Sequence, residues 1–314
     1  MGVTMLDQAE KLRNIVNNLK TKSNDTSSQN VDHTINAGKE NKGNHAKVIT
    51  VTSGKGGVGK TNVTVNIAIA LSQKGYRVVI IDADLGLSNI DVVFGIVPKY
   101  TLLDSINNEM SILDILCDGP GNIKFISGGS GVQELINLDK NSLEAFIANM
   151  SILDNIADYI LIDTGAGLSD HVMNFVLSAD EVLLVTTPEP TSITDAYALV
   201  KTVSRTKKEC SINVLINRAD DENEAESVYN NFSMVAERFL GMKLNKIGYL
   251  PFDQLFIKSV KMQRPYLLNY PKNMTSKLLI NIADSLAQRD SGQNNIAQHG
   301  IKGFINRFVG LFTN

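Results

Sequence analysis

The segment Gly54–Thr61 limits what this chain can fold into more than any other, because it reads GKGGVGKT between a strand pattern and a helix pattern. The preceding run KVITVTS, Lys47–Ser53, is rich in β-branched residues, which favour strands. The following run, Asn62–Gly75, has the length of a helix. Glycines in such a loop allow backbone conformations that a Cβ would forbid. The sequence therefore predicts a strand, a phosphate-binding loop and a helix in that order.

Lys60 and Thr61 close this loop and carry its predicted chemistry. Successive backbone N–H groups can point at one anion, and the helix N-terminus adds partial positive charge. Lys60 can neutralise phosphate oxygens, and the Thr61 hydroxyl can bind Mg²⁺. The alternative is a glycine-rich turn that binds no nucleotide. The residues predicted to contact the nucleotide here are Gly54, Lys55, Gly56, Gly57, Val58, Gly59, Lys60, Thr61 and Asn62.

Strand and helix patterns alternate over residues 47–289. Several strands are near-continuous β-branched runs, as expected for strands that are covered on both faces. Helical patterns such as Thr191–Thr206 and Glu222–Leu240 lie between them. The alternation predicts an α/β fold with one doubly wound, mostly parallel sheet. The predicted strands are Lys47–Ser53, Arg77–Asp82, Ile123–Ser127, Tyr159–Asp163, Glu181–Thr186, Asn213–Asn217 and Lys246–Leu250.

Three further segments flank this predicted domain. Residues 1–20 place apolar side chains at helical spacing, so we expect a helix. Residues 21–46 contain no Leu, Phe, Met or Tyr and cannot bury enough surface to order themselves, which predicts a flexible linker. Residues 290–314 begin with a polar stretch and end in an amphipathic helical pattern.

Composition narrows the class of protein. The 43% hydrophobic content suits a large core, and the net charge of −3 counts against nucleic-acid binding as the main role. Cys117 and Cys210 lack metal-ligand spacing and are interpreted as buried thiols of a reducing cytoplasm. No apolar run is long enough to span a bilayer, and we expect no secretory signal.

Acidic residues follow two of the predicted strands. Asp82 and Asp84 end the strand Arg77–Asp82, which we expect beside the strand of the phosphate-binding loop, and Asp163 ends YILID. Open α/β sheets place their chemistry at this edge. The alternatives are acidic residues that cap a helix, for Asp84, or a strand-ending turn, for Asp163.

Lys55 is a second lysine inside the loop, and KGGVGKT resembles the deviant Walker A motif of the MinD/ParA family. In that family the extra lysine reaches the nucleotide of the partner subunit, so two monomers close around two ATP molecules. The resemblance implies this role for Lys55 and a homodimer that depends on ATP. A solvated loop lysine is the alternative.

The same resemblance implies roles for the acidic residues in a slow, Mg²⁺-dependent ATPase. Asp82 would help to hold Mg²⁺ through water, and Asp84 would orient or deprotonate the attacking water. Asp163 would act on Mg²⁺ from outside its ligand shell, beside a glycine-containing loop that senses the γ-phosphate. Lys60 and Lys55 would complete the catalytic group.

Base recognition is also taken from the family. An asparagine at the position of Asn217 contacts adenine in related ATPases, and a loop at the position of YLPFD closes over the base. The predicted contacts are Asn217, Arg218, Pro251 and Asp253. The segment Thr186–Lys201 resembles the family's dimer face, which makes Asp195 a candidate partner for Lys55. Asp195 could equally favour its own helix dipole.

The N-terminal string DQAEKLR, Asp7–Arg13, is similar to the DQAxxLR pattern of the FlhG family, the MinD-like regulators of flagellar number and placement. In that family the segment activates FlhF, a GTPase. The resemblance implies that Gln8 approaches the partner's catalytic site and that Leu12 anchors the helix. The alternative is a helix that folds back onto the ATPase domain. The predicted partner contacts are Asp7, Gln8, Leu12 and Arg13.

The C-terminal pattern forms one apolar stripe, with Lys302 and Arg307 on its flank. We expect this helix to bind the inner face of the cytoplasmic membrane weakly as one copy and far better as two copies on a dimer. Packing on the protein's own surface is the alternative, and the two can coexist as alternate states. The predicted membrane contacts are Ile301, Phe304, Ile305, Phe308, Val309 and Phe312.

The expected function is therefore an ATP-dependent switch that associates reversibly with the membrane, activates an FlhF-type GTPase and could contact flagellar basal-body proteins of the C-ring. Three alternatives stay open: a division-site MinD ATPase, a ParA-type DNA partition ATPase, and a scaffold without catalysis. The acidic net charge argues against the second, and Asp84 with Asp163 argues against the third.

Overall fold

A computed structural model describes residues 45–84, 89–107, 110–128, 134, 138–207, 209–288 and 300–311. Its strands are β1 (Lys47–Ser53), β2 (Val78–Ala83), β3 (Cys117–Asp118), β4 (Lys124–Ser127), β5 (Tyr159–Ala166), β6 (Glu181–Thr186), β7 (Ile212–Ala219) and β8 (Asn245–Pro251). The N-terminal residues Asp7, Gln8, Leu12 and Arg13, nearly all of the expected linker, and Phe312 lie outside the described residues.

The helices within the described ranges fall on both sides of the sheet. They are α1 (Lys60–Gln73), α2 (Ile90–Phe94), α3 (Leu102–Asn107), α4 (Ile112–Ile115), α5 (Lys140–Met150), α6 (Leu153–Ile156), α7 (Asp170–Ser178), α8 (Pro190–Thr206), α9 (Glu222–Leu240), α10 (Gln254–Lys261), α11 (Tyr266–Asn269), α12 (Met274–Gln288) and α13 (Gly300–Gly310). None of them combines the length and the hydropathy that crossing a bilayer requires.

The strands form one sheet in the order β3-β4-β2-β5-β1-β6-β7-β8. Every described pair is parallel except β3 with β4, so the predicted doubly wound, mostly parallel fold is confirmed. Two features differ from the predicted sheet. Strand β3 was not predicted, because its two residues are too few to show a periodic pattern. Strand β2 does not lie beside β1, because β5 pairs with both of them.

Side chains of the central strands alternate between two buried cores, which explains their β-branched composition. Val48 faces the core under α7 and α13, whereas Ile49 faces the core under α1 and α12. Burial on both faces leaves no polar side to the strand. The sheet therefore holds the phosphate-binding loop between two packed layers.

Helix α13 packs on its own domain, with its apolar stripe buried. Phe308 lies against Phe175 of α7, with ring centroids 4.6 Å apart. The N–H of Ile301 donates to Asp154 Oδ1 at 3.0 Å, and the Arg307 guanidinium donates to Ser178 O and to Asp180 Oδ1, each at 2.8 Å. The buried members of the stripe are Ile301, Phe304, Ile305 and Phe308, and Val309 is partly buried. The structure thus shows the self-packed alternative for this helix.

Candidate functional site

The candidate site lies at the C-terminal edge of the sheet, where β1, β2 and β5 end. The loop after β1 places Gly57 and Gly59 at φ values of +79° and +92°, which only glycine adopts without strain. Helix α1 begins directly after Gly59, so its first N–H groups face the loop. The strand, loop and helix follow in the predicted order.

Asp163 is the centre of the described polar contacts at this edge. Its carboxylate accepts hydrogen bonds from the Thr61 hydroxyl at 2.6 Å and from the Thr64 hydroxyl at 3.0 Å, and the Lys60 ammonium lies 3.5 Å away. The side chain is fully buried, and this burial raises the pKa of Asp163, although Lys60 and the two hydroxyls oppose the shift. Strand β5 continues to Ala166, so Gly165 belongs to the strand and not to the loop expected there.

Asp82 lies opposite Asp163 in the register of β2 and β5. Its carboxylate accepts backbone N–H bonds from Asp84, Asn89 and Ile90 at 2.9–3.2 Å. Burial and, secondly, the charge of Asp163 raise the pKa of Asp82 to about 6. Two buried carboxylates in register therefore form a site of negative potential that a cation would stabilise.

Asp84 follows β2 and is only partly buried. The amide of Asn89 donates to Asp84 Oδ2 at 3.1 Å, and a Cβ built on Gly165 would lie 3.4 Å from Asp84 Oδ1. Asp84 therefore lies close to the end of β5. Asn89 was not among the predicted site residues, although its place in SNID, soon after DAD, was a signal.

The donor set at this edge fits Mg²⁺. A threonine hydroxyl and two carboxylates are hard oxygen donors, and Mg²⁺ is usually bound by one or two carboxylates together with water and phosphate oxygens. The described residues contain no group of three or more His, Cys, Asp or Glu that could hold a metal ion alone. The predicted Mg²⁺ residues that the structure brings to this edge are Thr61, Asp82 and Asp163.

Lys55 is bound within its own chain. Its ammonium lies 2.8 Å from Glu189 Oε2 and 2.8 Å from Thr191 Oγ1, at the start of α8. The hydrogen bond and charge of Lys55 lower the pKa of Glu189. Within the chain the described partner of Lys55 is thus Glu189 and not the candidate Asp195, whose backbone packs directly on Gly54. Glu189 lies in the predicted segment, six residues earlier.

A pocket of about 160 Å³ opens beside the loop. The amide of Asn217 donates to the Val58 carbonyl at 2.7 Å and lies over Gly59, where a Cβ would come within 2.6 Å of it. The predicted base contacts therefore meet at one place that adjoins the phosphate-binding loop. The lining residues are Gly59, Asn62, Val63, Asn217, Arg218, Pro251, Phe252, Asp253, Phe256 and Ile257.

Asp253 contributes to the pocket wall, but its carboxylate is bound elsewhere. Oδ1 accepts the Leu255 N–H at 2.9 Å and caps α10, whereas Oδ2 accepts the hydroxyls of Tyr266 at 2.5 Å and Thr275 at 3.0 Å. Burial and the bond to Asp253 raise the pKa of Tyr266. Tyr266 and Thr275 were not among the predicted site residues, because no local sequence pattern marks them as such.

Known proteins resemble this chain both in sequence and in fold. The ParA family profile, described as NUBPL iron-transfer P-loop NTPase, matches residues 44–287. The antiactivator FleN of Pseudomonas aeruginosa is 42% identical over 230 residues, which cover 73% of this chain and 82% of FleN. The flagellum site-determining protein YlxH of Helicobacter pylori is 33% identical over 273 residues, 86% of this chain and 92% of YlxH.

The fold comparison agrees with the sequence comparison. The MinC:MinD cell division protein complex of Aquifex aeolicus contains a chain that superposes with a TM-score of 0.62 at 26% identity. The match covers 81% of this chain and all of that one.

Gly54 and Gly56 differ in the space around them, and this difference leads to a prediction about stability. A Cβ at Gly54 would lie 2.3 Å from the carbonyl carbon of Asp195, whereas a Cβ at Gly56 meets nothing within 4 Å. We expect Gly54→Ala to lower the free energy of unfolding by about 1–3 kcal/mol, because backbone must move. Gly56→Ala is the matched control and should stay near wild type in urea denaturation. Equal stability of the two variants would contradict the packing.

Proposed function

Because the chain belongs to the MinD/ParA family of P-loop NTPases, we propose that it is an FlhG-type ATPase switch, which binds Mg²⁺ and ATP, forms a homodimer and helps to set flagellar number or placement. The observation that carries the proposal is the contact of Lys60 and Thr61 with Asp163, in register with Asp82. This arrangement brings a phosphate-binding lysine, a metal-binding hydroxyl and two carboxylates to one sheet edge. The description of YlxH as a flagellum site-determining protein supports the flagellar role.

Different residues of the chain would carry out the separate steps of ATP hydrolysis. Lys60 would leave Asp163 for the β- and γ-phosphates, and the loop N–H groups would hold the remaining oxygens. Asp84, oriented by the Asn89 amide, would accept the proton of the attacking water. Mg²⁺ bound through Thr61, with Asp82 and Asp163 acting through water, would neutralise the phosphate charge.

Lys55 would connect ATP to the dimer by changing partners. Its present contacts with Glu189 and Thr191 are partly exposed, with 38% of the lysine side chain accessible. Exposed ion pairs contribute only about 0–1 kcal/mol, so a doubly charged phosphate across a dimer interface can compete for the lysine. Binding of ATP by a second copy would then draw Lys55 away from its own chain.

Lys55→Ala tests this connection in a protein that also carries Asp84→Asn to block hydrolysis. We expect the variant to bind a fluorescent ATP analogue and to remain a monomer by light scattering at saturating Mg²⁺ and ATP. Lys60→Ala is the control, and it should lose nucleotide binding altogether. A dimer of the Lys55→Ala protein would overturn the proposed bridge.

The N-terminal string DQAEKLR supports an FlhF-type GTPase as the partner. A tethered amphipathic helix can reach a partner surface far from the ATPase domain. Asp7, Gln8, Leu12 and Arg13 would make the contact, with Gln8 directed to the partner's catalytic site.

A peptide of residues 1–20 tests the partner. We expect it to stimulate the GTPase activity of an FlhF-type protein, and the Gln8→Ala peptide to bind without stimulation. GTP turnover that is unchanged by the unmodified peptide would remove this part of the proposal and leave the ATPase assignment intact.

The C-terminal helix would provide reversible attachment to the inner face of the cell membrane from the cytoplasm. In the self-packed state its stripe is covered by α7, and Arg307 holds it to Ser178 and Asp180. Release would expose Phe304 and Phe308 for interfacial burial, and a dimer would present two such helices.

Arg307→Ala and Lys302→Ala form a matched pair that remove the same charge from one helix. Of these two residues, Arg307 has described hydrogen bonds to Ser178 and Asp180, whereas Lys302 is exposed. A hydrogen bond to a charged group contributes about 1.5–3 kcal/mol, so we expect roughly tenfold more vesicle binding without nucleotide for Arg307→Ala. Lys302→Ala should not exceed wild type. Equal sedimentation of all three proteins would contradict release of the helix.

A further inference from the structure

Asp253 is the only carboxylate among the described residues that line the pocket. It shares the lining of the pocket with Pro251, Phe252 and Phe256. A free carboxylate beside a base pocket would change the selectivity of that pocket for its base. Guanine presents two adjacent N–H donors on its Watson–Crick edge, which match a carboxylate, whereas adenine presents one donor beside an acceptor.

Three donors hold this carboxylate. Oδ1 accepts from Leu255 N, and Oδ2 accepts from the hydroxyls of Tyr266 and Thr275. Both hydroxyl donors are almost completely buried, with 1% of Tyr266 and 2% of Thr275 exposed. A buried hydroxyl without its acceptor would be unsatisfied, so the bonds are costly to break. The carboxylate is therefore committed to the protein and is not available to a base.

Packing fixes Tyr266 in the position from which it donates. Its ring stacks on Phe256 with centroids 4.2 Å apart, and the neighbouring Leu267 N–H donates to Asn66 Oδ1 of α1 at 2.8 Å. Phe256 itself lines the pocket. The hydroxyl is thus oriented by contacts that do not involve Asp253.

We infer that Tyr266 and Thr275 are positioning residues for base selectivity, because they keep the Asp253 carboxylate from accepting the N–H donors of guanine. This inference rests on the proposed function, in which the pocket receives the base of ATP. Selectivity for adenine then comes partly from exclusion: the charge that would favour guanine is bound to two hydroxyls of the protein.

Removal of the two hydroxyls should change selectivity and not only affinity. We expect Tyr266→Phe with Thr275→Val, which keeps both side-chain volumes and the stack on Phe256, to lower the ratio of the GTP to the ATP dissociation constant by about tenfold. The measurement is titration of the full chain with fluorescent ATP and GTP analogues. A purely structural role would weaken both nucleotides and leave their ratio unchanged.

Two controls assign the effect. Addition of Asp253→Asn to the double variant removes the charge and should restore the wild-type ratio. Tyr270→Phe removes a hydroxyl from the ring next to Tyr266, 5.3 Å away between centroids, and should have no effect on the ratio. Thr275→Val alone should give a smaller shift in the same direction, which keeps the test usable if the double variant unfolds.

The outcomes separate the inference from the proposed function. A wild-type chain that binds neither nucleotide would reject the ATP-binding function itself. A wild-type chain that prefers ATP, together with a folded double variant of the same preference, would reject the role of Tyr266 and Thr275 and leave the ATPase assignment standing.

Discussion

The buried carboxylate of Asp163 is the interaction on which the site depends. A charge at a fully buried position of β5 is costly unless it is paired and hydrogen-bonded, and here Lys60, Thr61 and Thr64 supply the partners from α1. Because β5 lies between β1 and β2, the same residue also brings the loop and Asp82 together. Loss of this one acceptor would remove the partner described here for the Lys60 ammonium and the Thr61 hydroxyl, and would leave the Thr64 hydroxyl with the Lys60 carbonyl.

A second pair of carboxylates joins the two ends of the described domain. Asp154 accepts the N–H groups of Ala46 and Ile301, and Asp180 accepts the Val48 N–H and the Arg307 guanidinium. Each aspartate therefore binds the start of β1 and helix α13 at once. Gly300 has φ +89° and no room for a Cβ beside Asp154, so the chain must be glycine there. The C-terminal helix is held at the same points as the first strand.

The sequence predicted those features of the fold that depend on residues close together along the chain. The bounds of β1 and β6 agree with the sequence, because uninterrupted β-branched runs are unambiguous when both faces are buried. The order of β1, β5 and β2 was not predictable, since it depends on packing between distant segments. The same reason applies at Lys55: Glu189 and Asp195 both follow β6, and only the path of α8 brings one of them to the lysine and the other's backbone to Gly54.

The contacts of Lys55, Lys60 and Asp253 follow one principle, which is that each of these three charged groups is already bound before a ligand arrives. Lys60 lies on Asp163, Lys55 on Glu189, and Asp253 on two hydroxyls. A ligand must therefore replace a partner, so only a group of comparable charge can displace the lysines. The exposed pair at Lys55 is weak and exchangeable, whereas the bonds to Asp253 come from two buried hydroxyls and are costly to break. Differences in burial thus separate the contacts that change during the proposed cycle from those that preserve the shape of the pocket.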